Sequence, residues 1–146
     1  MITDDLKLTG ALSISLNDTL VHRTENMVVT AGKGWVTSRL KDTGSPSQMT
    51  HMGIGSGSTA AAAGNTTLVT QLDRQGLTVI GGTVSGSSIE YSCTFEAGEG
   101  TGAVIEAGIF NANNGGTMLA RTVFDAGVVN KGSADKMTIT WTVSIS

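Results

Sequence analysis

Few side chains in this chain are suited to chemistry, and two of them are set in unusual surroundings. Glu106 and Arg121 interrupt the apolar runs of the stretch AVIEAGIFNANNGGTMLARTVF, residues 103–124. A carboxylate and a guanidinium placed this way suit either acid–base work in a cleft or an ion pair that holds a fold together. Between them, Asn113, Asn114, Gly115 and Gly116 mark a hairpin turn, because Asn and Gly tolerate the positive φ of tight reversals. A two-residue loop at Asn114–Gly115 sets Glu106 opposite Val123 and Arg121 opposite Gly108, as diagonal neighbours on one face. A loop over Ala112–Gly115 sets the two charges directly opposite each other. Both registers predict contact, whereas a three-residue loop without a bulge parts them.

The same face carries Val104, Phe110, Leu119 and Val123. The other carries Ile105, Ala107, Ile109, Met118, Ala120 and Phe124. A ribbon apolar on both sides lies centrally in a fold or has one face in a subunit contact. A lone carboxylate there is costly and needs Arg121 or free backbone N–H groups as partners. No second acid, histidine or metal cluster stands beside it. A structural ion pair is therefore expected, and no catalytic residue is assigned.

The remaining candidates are weaker. His22 and His51 have no spacing that makes a metal-ligand pair, and both read as surface or loop residues. Cys93 falls on the inward parity of a strand without a basic neighbour, which predicts an inert, buried thiol. GIGSGS at 53–58 and AGEGTG at 97–102 lack the third glycine of the dinucleotide fingerprint and the Gly-Lys-Ser/Thr of a P-loop. They read as loops, so no cofactor or metal is expected. No G-x-S-x-G elbow is present. The glycosylation patterns at Asn17 and Asn65 read as chance matches in a Thr-rich chain.

These residues must be positioned by strands. The chain has 146 residues, with 20 glycines, one proline and 14% charged residues. In KMTITWTVSIS, Met137, Ile139, Trp141, Val143 and Ile145 alternate with Thr and Ser, the period-two pattern of a strand with one wet face. Leu6, Leu8, Leu12, Ile14 and Leu16 share a parity, with Gly10 suggesting a bulge or bend. Ile89, Tyr91, Cys93 and Phe95 do the same. VVTAGKGWVTSRLKD reads as a strand ending near Thr30 and then a short helix. NTTLVTQLDR suggests a second helical turn stacking Leu68 on Leu72. Met52 and Ile54 end a short strand, and GIGSGSTAAAAG reads as a flexible loop. The expected fold is all-β: an antiparallel β-sandwich, with the jelly roll as a candidate form and one or two short helices. A single domain over 1–146 is expected, with 1–10 as a candidate N-terminal arm.

Net charge is −3 and no basic stripe is visible, so nucleic acid is not an expected partner. No apolar run approaches the ~20 residues of a membrane helix, and MITDDLKL lacks a signal-peptide pattern.

The segments MTHMGIGSGSTAAAAGNTTLVTQLDR, EAGIFNANNGGTMLARTVF and DKMTITWTVSIS resemble a recurrent module of tailed-bacteriophage structural proteins, from about Val29 onward. Such modules occur in tail-fibre and collar-type proteins and in small stand-alone virion proteins. The resemblance implies that Glu106, Gly108, Phe110 and Arg121 are fold-forming. The chain departs from fibre proteins in carrying no shaft, collagen-like repeat or receptor-binding head. It implies a non-enzymatic virion component assembled in the host bacterial cytoplasm. The form expected first is a capsid decoration or cement protein contacting the major capsid protein as a symmetric homo-oligomer. A tail, neck or fibre-attachment protein is the second form. A carbohydrate-binding module is a third reading, set against few and mostly inward aromatics.

Overall fold

Alternating threonine and apolar residues cannot bury both faces of a strand. They drive such strands to pair side by side and turn their apolar faces together. A computed structural model describes residues 6–41, 44–125 and 127–146. In chain order the elements are β1 (Leu8–Leu16), β2 (Thr19–Val28), α1 (Thr30–Arg39), β3 (His51–Gly55), β4 (Gln71–Gly76) and β5 (Thr83–Ser85), then β6 (Ser88–Phe95), β7 (Gly102–Val104), β8 (Glu106–Phe110), β9 (Met118–Val123), β10 (Val129–Lys131) and β11 (Met137–Ile145).

Nine of these strands form one curled antiparallel sheet in the order β4-β3-β8-β9-β2-β1-β11-β6-β5, and β10 pairs with β7 in a separate ribbon. The fold is all-β and sandwich-like, as the alternation predicts. A single sheet folded over supplies both layers, in place of the two separate sheets of a jelly roll. β2 makes the fold-over: Thr19 to Asn26 pair with β1, and Met27 and Val28 pair with β9. The curled inner faces meet in one core, where Leu12, Ile14, Tyr91, Phe95 and Trp141 pack with Met52, Ile54 and Ile109.

Gly10 has another task than the expected bulge. The register of β1 on β2 shifts at Ile14/Ser15 instead. A Cβ on Gly10 would lie 1.8 Å from Asn26 Oδ1. That oxygen accepts a 2.9 Å bond from the indole Nε1 of the fully buried Trp141. The missing side chain therefore makes room for the partner of a buried indole N–H. Of the expected arm, residues 1–5 lie outside the described residues. Residues 8–10 belong to β1, and Lys7 exchanges two backbone bonds with Ser146, at 2.8 and 2.9 Å.

The helix expected after Thr30 is α1, which packs on β9. Its two glycines differ in purpose. A Cβ on Gly32 would lie 2.0 Å from the Leu119 carbonyl oxygen, so only glycine lets the helix backbone approach the strand this closely. Gly34 faces open space. The second expected helix is absent: Asn65 to Thr70 are not helical, and Gln71 onward is β4. Leu68 is buried while Leu72 is 38% exposed, so the two do not stack.

Gly32→Ala is expected to destabilise the fold by about 1–3 kcal/mol through backbone collision. Gly34→Ala is expected to stabilise it by about 0.5–1 kcal/mol through helix propensity. Urea unfolding midpoints check both signs.

Candidate functional site

β8 and β9 bring Glu106 and Arg121 together. Glu106 lies opposite Val123 and Arg121 opposite Gly108, the diagonal arrangement. The turn that achieves it differs from both expected loops. Asn111 N donates to Thr117 O at 3.2 Å and Thr117 N to Asn111 Oδ1 at 2.7 Å, leaving residues 112–116 as the loop. Positive φ falls on Gly115 and Gly116, at 62° and 74°, and not on Asn113 or Asn114. A register shift between Ile109 and Phe110 absorbs the extra residue and sets Phe110 opposite Met118. Met118 therefore joins Phe110 in a second apolar cluster with Val29 and Leu68, while Leu119 turns to the main core. The face assignments expected for these two residues are exchanged by that one bulge.

Both charged side chains are 0% exposed. Glu106 Oε2 accepts from Arg121 Nη2 at 2.8 Å, Arg121 Nε at 2.9 Å and Val69 N at 3.0 Å. Its Oε1 accepts from Thr70 N at 2.8 Å and Gly57 N at 3.1 Å. Arg121 completes its fork by donating Nη1 to Asn65 Oδ1 at 3.0 Å and Nη2 to Thr59 O at 2.8 Å. Five donors on one carboxylate offset the large cost of burying it.

All the partners outside the pair come from residues 57–70, the segment between β3 and β4. It is an ordered cover rather than a flexible loop. It lies on the outer face of β3, β8 and β9, where Gly53, Gly55 and Gly57 leave a trough. A Cβ on Gly55 or Gly57 would sit 2.6 or 2.5 Å from Glu106 Oε1, and one on Gly53 or Gly108 would sit 3.1 Å from Leu68. Asn65 clasps the cover internally, accepting from Ala62 N at 2.8 Å, and Thr30 N ties it to the start of α1 through Ala63 O at 2.8 Å. The N–H groups of Val69 and Thr70 serve the carboxylate, so they are not free for the expected helical turn.

With its acceptor sites filled and no exposed surface, this carboxylate has neither a free lone pair for a substrate proton nor a path to one. Among the described residues, no group of three or more His, Cys, Asp and Glu side chains is close enough to hold a metal ion. No helix among them is long and apolar enough to cross a membrane.

Neither histidine is on a loop. His22 is buried on β2, 5.4 Å from the Phe124 ring, and its Nε2 has no partner among the described residues. His51 is half-buried on β3, with Nδ1 2.7 Å from Thr50 Oγ1; burial, then the charge of Arg74, holds its pKa below the ordinary value. Cys93 is fully buried, and burial pushes its thiol up to about 12. Five of the six Phe, Tyr and Trp side chains are buried. Trp35 is half-buried and bonded to Ser47 O at 2.8 Å.

Lys131 is a buried charge that no sequence motif marks. It is 1% exposed, and its Nζ donates to Glu96 O at 2.9 Å and Asp135 O at 2.6 Å. The signal was its shared parity with the buried Val129. Compared with known protein families, curated proteins and solved structures, the chain has no match.

Glu106→Gln strands the Arg121 charge and is expected to cost about 3–5 kcal/mol. Adding Arg121→Met should cost clearly less than the sum of the single changes; additive losses in a denaturant double-mutant cycle would mean that the pair is not coupled. The Cys93 thiol should ignore a disulfide reagent at pH 8 in the native protein and react fully once unfolded.

Proposed function

We propose that this chain is a non-enzymatic structural component of a tailed-bacteriophage virion, acting first as a capsid decoration or cement protein. One observation carries the non-enzymatic half of the reading. The acid and base that the sequence makes most suspect are consumed by the fold, bonded to each other and otherwise only to the chain's own cover segment. Support for the virion half comes from the resembling segments. MTHMGIGSGSTAAAAGNTTLVTQLDR contributes β3, the cover and β4, and EAGIFNANNGGTMLARTVF contributes β8 and β9. These two segments thus form one packed unit, while the third, DKMTITWTVSIS, is β11 in the other half of the sheet.

The mechanism is association. A rigid β-scaffold bound to assembled shell protein, and not to its dissociated form, stabilises the shell by linkage. The partners are the major capsid protein and other copies of this chain, and the place of action is the particle.

The test is immunogold or cryo-EM localisation on purified particles of the phage encoding the chain. Labelling over the whole capsid supports the decoration role. Labelling confined to the tail or neck moves the protein to the second form. Absence from particles overturns the virion reading.

A further inference from the structure

β5 is an open edge of the curled sheet. Among the described residues it pairs only with β6, and all three of its residues are exposed, Val84 at 71%. Natural edge strands are blunted by shortness, charges, proline or bulges; β5 is short, at three residues, but Thr83–Ser87 carries no charge, proline or bulge. The other edge is guarded. β4 carries Asp73 and Arg74, with the Arg74 guanidinium 3.5 Å over the Phe110 ring and bonded to Ala112 O and Gly115 O. Just past β4, Thr78 N leans on Ser92 O at 2.8 Å.

Beside the bare edge lies a groove of about 240 Å³ between α1 and the inner faces of β1, β11 and β6. Leu8, Trp35, Val36, Ile89 and Ile145 line it, with Val84 at its margin. Val84 lies opposite Ile89 in the ladder, so it points to the groove side, while Thr83 and Ser85 point outward.

We propose that β5 pairs antiparallel with β5 of a second copy, about a two-fold axis through Val84. The edge reads Thr-Val-Ser, so this operation sets Thr83 against Ser85 of the second copy and Val84 against its own equivalent. Hydroxyl pairs of this kind already link β6 and β11, at 2.8 Å for Ser88–Ser144 and 3.2 Å for Thr94–Thr138. Charge permits it: Glu90, beside Thr83 on β6, would stand three strand spacings from its equivalent, roughly 14 Å, beyond the ~8 Å Debye length. A charged partner segment would find no countercharge on this neutral edge, while an identical edge needs none.

Three residues of ladder alone fall short of the roughly 600 Å² per copy of a small stable interface. The operation also continues the inner faces across the join, so the apolar groove margins at Val84 and Ile89 of the two copies add to the contact. The guarded β4 edge does not accept β5, and association closes at two copies instead of extending. This contact holds whether or not the chain belongs to a particle, so its test in solution fails separately from the particle test.

Opposed residues in an antiparallel ladder have Cβ atoms about 4.5–5.5 Å apart, close enough for a disulfide after small adjustment. Val84→Cys is therefore expected to give a covalent dimer on oxidation, with the native Cys93 buried and unreactive. Val79→Cys and Ile80→Cys, exposed at 51% and 50%, should not. At about 100 μM, above the micromolar dissociation constant of a weak interface, light scattering should give twice the 14.9 kDa chain mass. Val84→Lys should halve it with unchanged circular dichroism. A wild-type mass other than two copies, a dimer surviving Val84→Lys, or equal crosslinking at residues 79 and 80 would overturn the proposal.

Discussion

A buried carboxylate must have every lone pair occupied, and that requirement on Glu106 organises one side of this molecule. Arg121 supplies two of the five bonds; the other three come from the backbone of Gly57, Val69 and Thr70. These donors belong to the two ends of one connection, so satisfying the charge dictates the path of the chain over the sheet. Arg121 then reaches the middle of the same connection through Thr59 and Asn65. The pair contributes less through mutual attraction than through this list of obligations, since an ion pair taken out of water gains stability only when its remaining hydrogen bonds are met.

Glycine makes the arrangement sterically possible. Gly53 and Gly55 share one side of β3 and Gly57 continues the period just past its end, leaving bare backbone where the cover descends to contact. Leu68 fills the floor over Gly53 and Gly108, and the cluster of Val29, Phe110 and Met118 closes around it. The hairpin is thus buried on both faces within one chain. Lys131 repeats the device elsewhere, its ammonium held by the carbonyls of Glu96 and Asp135 so that two turns are tied together.

A scaffold of this kind leaves its chemistry inside and its recognition to edges and surface. That fits a protein that works by being in place, the role proposed for it in a phage particle, and it directs attention to the bare β5 edge and the apolar groove beside it. Fold class alone carries no function, because β-sandwiches serve many. What these particular charged residues are bonded to bears on function more than the fold class does.

The alternating runs around Trp141, Cys93 and Ile14 were legible because a half-buried strand writes its burial into a period of two, whatever its neighbours are. The helix after Thr30 was legible from its local spacing. So was the meeting of Glu106 with Arg121, because two charges embedded in apolar strands on either side of one turn have few other partners. What lay across space was not legible. Gly10 reads as a bend until Asn26 and Trp141 are brought beside it. Leu68 and Leu72 read as helical neighbours until the N–H groups of Val69 and Thr70 are claimed by a carboxylate distant in sequence. GIGSGSTAAAAG reads as slack until its alternating glycines are found under Glu106. The sequence by itself determined which face of each alternating strand avoids water. Tertiary structure decided which buried polar group meets which, because a hydrogen bond depends on position in space and leaves no period along the chain.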